Sequence, residues 1–466
     1  MAKVKVKWIC QNCAYQSASF LGKCPDCGEF STFVEEVVSV ATGGFGGGAA
    51  GLQNFLSASE FAPTLLNEIE VDEKIRITTG MHEFDRVLGG GFVQGSLVLL
   101  AGDPGIGKST LVLQTVQNIC AAKNGGEGKK TLYICAEEST SQVKLRAKRL
   151  GVSADSLYLT QQNCLEEILL QIEQIKPDFI VIDSIQAVFT SLISSSAGSV
   201  SQIRECTNLL MKIAKQKNIT TIVIGHVTKE GNIAGPKVLE HMVDCVINFE
   251  GDKFKSHRLL RAIKNRFGAT SEVGVFNMED EGLVEITNPS EIFLKDFAPG
   301  AGSTIIATLE GTRVLLLEIQ ALTGSTPYAA PRRVAVGVEY NRLLQILAVL
   351  EKRVGLNLSK HDVYINVIGG IELVEPAVDL GIAMAVLTCA RDVTVDSRTI
   401  FIGEVGLSGE IRSCDNIEKR LREAGRLGFK KAIIPRVSDN VRAKIKDLKM
   451  ETVEVARLVD AISKGI

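Results

Sequence analysis

From about residue 61 to 285, short β-branched apolar runs alternate with longer stretches whose apolar residues recur at helical spacing. Ser96–Gly102, Thr131–Ala136, Phe179–Asp183 and Thr220–Gly225 are the clearest runs. Strands covered by crossover helices on both faces are apolar nearly throughout, not at alternate positions. The pattern therefore predicts a parallel-sheet α/β domain over 61–285. After about 286 apolar runs resume with different motifs and no second phosphate loop, which predicts another α/β domain over 286–466. Two segments stand apart. Residues 1–40 hold four cysteines and the only tryptophan, Trp8. Residues 41–51, ATGGFGGGAAG, have six glycines in eleven positions, and 41–60 is assigned as a flexible linker. There are no repeats and no coiled-coil heptads.

Composition narrows the function classes. The chain has 466 residues, with Lys+Arg 52 against Asp+Glu 54 and a formal net charge of -2. That balance excludes a global basic coat, so nucleic-acid contact must come from local patches. No apolar run reaches the ~18–20 residues of a membrane span. Lys3, Lys5 and Lys7 are not followed by a long apolar stretch, which argues against a secretory signal. Eleven scattered cysteines, an odd number, argue against a disulfide scaffold. These features predict a cytoplasmic, multidomain protein.

Cys10-x2-Cys13 and Cys24-x2-Cys27 are two CxxC pairs ten residues apart. Two such turns aim four thiolates at one point, the closed tetrahedral ligation of structural Zn2+. A finger this small cannot fold by burial alone, and metal binding, about 10–16 kcal/mol in zinc-finger peptides, supplies the difference. A redox CxxC is the competing reading. The other seven cysteines, Cys120 and Cys245 among them, are expected in the core.

Gly102-Asp103-Pro104-Gly105-Ile106-Gly107-Lys108-Ser109, followed by Thr110, fits the phosphate loop GxxxxGK-Ser/Thr between a strand-like and a helix-like run. Its glycines let successive backbone N–H groups face phosphate oxygens, and the helix N-terminus adds its dipole. Lys108 is expected on the β- and γ-phosphates of ATP, with Ser109 on Mg2+. Asp183, ending the apolar run Phe179–Asp183, is the expected second element of the Mg2+ site. Hydrolysis also needs a carboxylate to orient water. Glu137 is the choice and Glu138 the alternate; a helix-start acid favoured by the macrodipole is the competing reading.

Residues 253–266 carry six Lys/Arg and no acid. In an extended chain Lys264 and Arg266 share a face. They could reach a neighbouring subunit's triphosphate as arginine-finger charges, or form a solvated basic strand edge.

With these residues in view, a family resemblance appears. The run Thr79–Gly91 (TGMHEFDRVLGGG), the phosphate loop and Lys264-Asn265-Arg266-Phe267-Gly268 resemble the bacterial RadA (Sms) recombination and repair proteins. So does the order of four-cysteine finger, RecA-like P-loop ATPase core and Lon-protease-like α/β domain. The resemblance implies a ring-forming, hexameric, DNA-stimulated ATPase of the helicase type. Such a motor moves on single-stranded DNA and drives branch migration of recombination intermediates, with a RecA-type recombinase as a partner. It implies functional roles for Lys264 and Arg266, and a polar-sensor position at His226. It also implies DNA-facing loops at Ala187–Val200 and at Val227–Val238, the latter containing Lys229 and Lys237; loops of this composition are also common without function.

Glu375–Ala385 (EPAVDLGIAMA) and Gly403–Arg412 (GEVGLSGEIR) resemble strings of Lon-type peptidase domains. The position of the Lon serine is Asp379 here, and that of its lysine is Glu418. Neither a hydroxyl nucleophile nor an amine base remains, so no peptidase activity is expected. Glu410–Met450 holds twelve Lys/Arg and six Asp/Glu, and helix-like Lys419–Arg426 either binds duplex DNA or is a solvated face. Competing functional readings are an ATP-dependent Lon-like protease, a non-motor regulatory ATPase scaffold and a RecA-type recombinase.

Overall fold

The apolar runs of the first half become the centre of one nine-stranded sheet. Its strands are β1 (Leu97–Gly102), β2 (Thr131–Cys135), β3 (Leu157–Thr160), β4 (Phe179–Asp183), β5 (Thr220–Ile224), β6 (Cys245–Glu250), β7 (His257–Asn265), β8 (Val273–Glu279) and β9 (Gly282–Glu285). The computed structural model describes residues 5–10, 15–38, 76–121, 128–226, 238–251, 257–328 and 330–466. The glycine-rich stretch 41–51 and residues 61–75 lie outside the described residues. Two units divide the chain, Met1–Ile286 and Thr287–Ile466.

The strand order is β9-β8-β7-β6-β1-β5-β4-β2-β3. Strands β1 to β6 pair in parallel, whereas β6 to β9 run as an antiparallel meander. Strand β1 is buried along its whole length because both faces are covered. Val98 and Leu100 enter one core, Leu97, Leu99 and Ala101 the other. The pairings Phe249 with Gly102 and Cys135 with Asp183 bring the C-terminal ends of the parallel strands to one edge. In open α/β sheets that edge holds the ligand crevice.

Near the N-terminus, strands Lys5–Cys10, Gln16–Ser17 and Phe33–Val38 form an antiparallel three-stranded ribbon. Its small core is Cys10, Cys24 and Phe33.

The second unit is built on a seven-stranded sheet. From edge to edge its strands are Arg333–Val336, His361–Val367, Arg313–Ser325, Ser303–Glu310, Thr399–Phe401, Lys431–Pro435 and Glu451–Val455. Helix Asp379–Arg391 is buried from Asp379 to Thr388. Gly381 allows its close approach, since a Cβ there would lie 2.1 Å from Ile306 Cγ2. No helix among the described residues is long and apolar enough to cross a membrane.

Two expectations need correction. Cys120, Cys135, Cys206 and Cys245 are buried, but Cys164, Cys389 and Cys414 are only partly so. Arg420 is not on a basic face: it is 1% exposed and bidentate to Glu375, with both N–O distances 2.6 Å. A buried guanidinium needs such a partner. The exposed arginines of the same region are also occupied, Arg422 with Glu418, Arg426 with Glu423 and Arg442 with Glu454.

Candidate nucleotide site

Strand β1 ends at Gly102, and five residues turn the chain into helix Lys108–Cys120. Gly107 caps that helix at φ 115°, a left-handed conformation available to glycine without steric cost. At Gly102 a Cβ would lie 2.4 Å from the carbonyl oxygen of Phe249 on β6, so strand packing requires the glycine. Ile106 is buried in the core, and its carbonyl accepts from Arg258 Nε at 3.1 Å.

Lys108 is buried with its Nζ donating to the carbonyls of Gly102 (2.7 Å) and Asp103 (2.9 Å). Burial pushes its pKa down to about 8, against the pull of Asp183, Asp103 and Glu137. The ammonium thus rests on two neutral carbonyls that phosphate oxygens can replace.

Asp183 ends β4 beside Cys135 of β2. Fully buried Tyr133 donates its hydroxyl to Asp183 Oδ2 at 2.6 Å. Burial raises the Asp183 pKa, while hydrogen bonds from Tyr133 and Ser109 oppose the rise. Lys108, Ser109 and Asp183 are therefore brought together. The donor set, one hydroxyl and one carboxylate beside a phosphate loop, fits the hard, oxygen-seeking Mg2+.

Glu137 lies two residues beyond β2. Ser184 Oγ donates to its Oε1, and His226 Nε2 faces its Oε2 at 3.4 Å. Hydrogen bonding to His226, then to Ser184, holds Glu137 below the usual carboxylate range despite partial burial. Glu138 is taken up by Arg146 at 2.8 Å. A cleft of about 330 Å³ joins Pro104, Gly105, Lys108, Ser109, Thr110, Glu137, Asp183 and His226, and Arg146 and Arg149 line it too.

Lys264 and Arg266 are elsewhere. Lys264 pairs with Val246, which pairs with Leu99, toward the opposite edge of the sheet from the phosphate loop. Its Nζ donates to the carbonyls of Glu240 (2.7 Å), Val243 (2.9 Å) and His241 (3.2 Å) at the end of helix Val238–Met242. Arg266 lies past the end of β7, so the two do not share a strand face. Its guanidinium faces buried Asp244 at 3.3 Å, and Asp244 also accepts from Leu97 N and Lys215 Nζ.

The first predicted DNA loop, Ala187–Val200, is tied down at its start. Thr190 Oγ1, Ser191 N and Ser191 Oγ all donate to Glu166 Oε1. Of the second, Lys229 and Lys237 lie outside the described residues. In the ribbon the sulfurs of Cys10, Cys24 and Cys27 lie within 4.8 Å of one another, while Cys13 is outside the described residues. An all-thiolate donor set suits Zn2+ and would close its coordination.

Sequence reasoning missed Tyr133, Ser184, Arg146 and Arg149. The signal for Tyr133 was present, a phenol in a run of aliphatic residues whose hydroxyl must find a partner when buried. Arg146 and Arg149 stand one helical turn apart after the acids, a spacing that places them on one face.

Comparison with known proteins is consistent with this layout. The family model for the KaiC ATPase matches residues 77–291, that for subunit ChlI of Mg-chelatase matches 336–438, and that for a rubredoxin metal binding domain matches 8–35. The chain has a RecA/KaiC-like P-loop ATPase core, an N-terminal zinc ribbon and a ChlI/Lon-like C-terminal unit; ATP with Mg2+ belongs to the first and Zn2+ to the second. It is 49% identical to the DNA repair protein RadA of Bacillus subtilis over 467 residues, covering 100% of both chains. It is 48% identical to that of Listeria monocytogenes, again over 100% of both. With that of Synechocystis it shares 46%, over 94% of this chain and 90% of the other. Among solved structures, a KaiC-like protein of Pyrococcus horikoshii overlaps 45% of this chain and 98% of its own at 23% identity, with a TM-score of 0.38.

Proposed function

The chain belongs to the RadA family of DNA repair proteins, and from that premise we propose that it is a DNA-dependent ATPase that translocates on single-stranded DNA and promotes branch migration of recombination intermediates. The observation that carries the reading is a division of labour within one sheet. The phosphate loop, Asp183 and Glu137 meet at one edge, whereas Lys264 and Arg266 stand toward the other. In a homo-oligomeric ring, such as a hexamer, one protomer's cations can complete the next protomer's site.

In this reading backbone N–H groups from Gly102 to Thr110 cradle the phosphates of ATP. Lys108 exchanges its two carbonyl partners for phosphate oxygens. Ser109 and Asp183 hold Mg2+, which when bound neutralises developing charge on the transferred phosphoryl group. Glu137 orients the attacking water once His226 or Ser184 releases one of its oxygens. Glu138, engaged by Arg146, is the poorer candidate. Lys264 and Arg266 leave their resting carbonyl and carboxylate partners to face the neighbour's triphosphate. DNA follows a path lined by Ala187–Val200 and 227–238, and the chain works beside a RecA-type recombinase. The ChlI/Lon-like unit performs no peptide hydrolysis, because Asp379 and Glu418 stand where acyl transfer needs a hydroxyl and an amine.

The test is ATP turnover with and without single-stranded DNA, in the wild type and in Lys264→Ala. DNA should raise the wild-type rate, and the variant should lose most of the turnover. A rate indifferent to DNA, or a fully active variant, overturns the reading. Branch-migration assays separate a motor from a regulatory ATPase scaffold.

A further inference from the structure

The second unit contains a cavity that none of this chemistry uses. Cross-strand pairing sets Ser303, Gln320, Asn366 and Val336 in one row, and Leu322, Tyr364 and Val334 in the next. Over these rows, beside the loop Ala298–Gly302, lies a cavity of about 520 Å³. Glu318 lines it and is 4% exposed. Its Oε1 accepts from Ser303 Oγ at 2.7 Å and from Gln320 Nε2 at 2.9 Å. Its Oε2 has no partner among the described residues, and no lysine or arginine lines the cavity.

Glu318 is thus a largely buried carboxylate with one oxygen satisfied by neutral donors, and no cation among the described residues pairs with it. Buried charges in proteins are ordinarily paired. Here the missing partner has room to come from outside. Gln320 and Asn366 also line the cavity, and their amide groups can supply neutral acceptors. Val334, Val336 and Leu322, 40%, 52% and 64% exposed, offer an apolar wall for an alkyl stem. One free carboxylate oxygen matches a point-like ammonium with three donors better than the two-pronged fork of a guanidinium.

We propose that this cavity binds a primary alkylammonium group, its nitrogen on Glu318 Oε2 and its methylenes against Val334, Val336 and Leu322. The group can belong to a free aliphatic diamine or to a lysine side chain of a polypeptide. The site is independent of the ATPase reading.

Equilibrium dialysis of labelled cadaverine against the full chain, without nucleotide or DNA, tests it. Nα-acetyl-lysine methylamide, the arginine analogue and neutral 1-pentanol serve as competitors. Saturable binding at one site per chain is expected at roughly millimolar amine or below, with the arginine analogue weaker by about tenfold and pentanol without effect. Glu318→Gln should weaken binding by about tenfold or more. Val336→Trp, at a half-exposed wall position separated from Gln320 by one intervening strand, should abolish it. Competition by the lysine analogue identifies a polypeptide lysine as a possible source, and cadaverine binding without that competition identifies a free amine; both support the chemistry. Absence of saturable binding by either amine overturns the proposal. So does wild-type affinity in a folded Glu318→Gln, or in Val336→Trp should the first variant fail to fold.

Discussion

Lys108 is charged in the nucleotide-free protein below about pH 8 and increasingly neutral above it, because burial lowers its pKa to that value. A triphosphate places negative charge beside the amine and draws the pKa back up. Binding should therefore take up a proton at alkaline pH and almost none near about pH 6.5, and nucleotide affinity should fall as pH rises past about 8. Calorimetry in buffers of different ionisation enthalpy reads the uptake directly, and Lys108→Met should remove it. For the empty protein the sign reverses. The unfolded chain holds the lysine proton more tightly, so stability rises between the folded value near 8 and the ordinary value of 10.5. Tyr133 gives a second test at this scale. Tyr133→Phe removes the 2.6 Å bond to Asp183 and leaves a partly buried carboxylate short of a donor. A cost of about 1 kcal/mol corresponds to a roughly fivefold rise in the Mg2+ concentration needed for half-maximal turnover. Mg2+-free ADP binding should stay unchanged, and calorimetric Mg2+ titration of the ADP complex should show the same shift.

At the level of elements, legibility followed burial. Strands β1, β2, β4 and β5 were readable because both faces are covered, and their ends differ from expectation by one residue at most. Strand β7 alternates between buried and partly exposed positions and carries three Lys/Arg, so it reads as an extended segment or a solvated basic edge rather than as a central strand. The phosphate loop was legible because backbone geometry imposes its glycines, whereas the Arg420 pair was not, because Glu375 lies 45 residues away in sequence. Asp379 shows what occupies the position of the Lon serine. At the start of helix Asp379–Arg391 it is fully buried, takes Arg342 Nε on Oδ1 at 2.8 Å and the second guanidinium nitrogen on Oδ2, and accepts from Val405 N at 3.0 Å. Arg342→Ala would strand that charge. Because Arg342 is itself partly exposed, the expected loss is about 3 kcal/mol, the low end for a broken buried pair. Urea unfolding of the full chain measures it, and Asp379→Asn on the Arg342→Ala background should recover part of the loss by removing the charge.

On the scale of the whole molecule, the decisive question is whether a working site spans two chains. Lys108→Ala keeps a competent Lys264 and Arg266 but cannot hold phosphates. Arg266→Ala keeps a competent phosphate loop but, on the proposed reading, withholds the cation from its neighbour. Each variant alone should be nearly inactive in DNA-stimulated ATP turnover. In random mixed rings, a good loop meets a good finger at about a quarter of the junctions, so mixing equal amounts should restore turnover toward that fraction. A site contained within one chain gives no such recovery, because every chain in the mixture carries a defect. Arg266 rests on Asp244, which also holds the backbone N–H of Leu97 at the start of the phosphate-loop strand. Withdrawal of Arg266 toward a neighbour therefore changes the charge balance at the root of its own chain's β1. If that link couples the sites, Asp244→Asn in an otherwise unmutated chain should lower the Hill coefficient for ATP while leaving the mixing recovery of the two defective variants in place. Recovery without any change in cooperativity would leave the shared site standing and remove Asp244 as its connection to the next one.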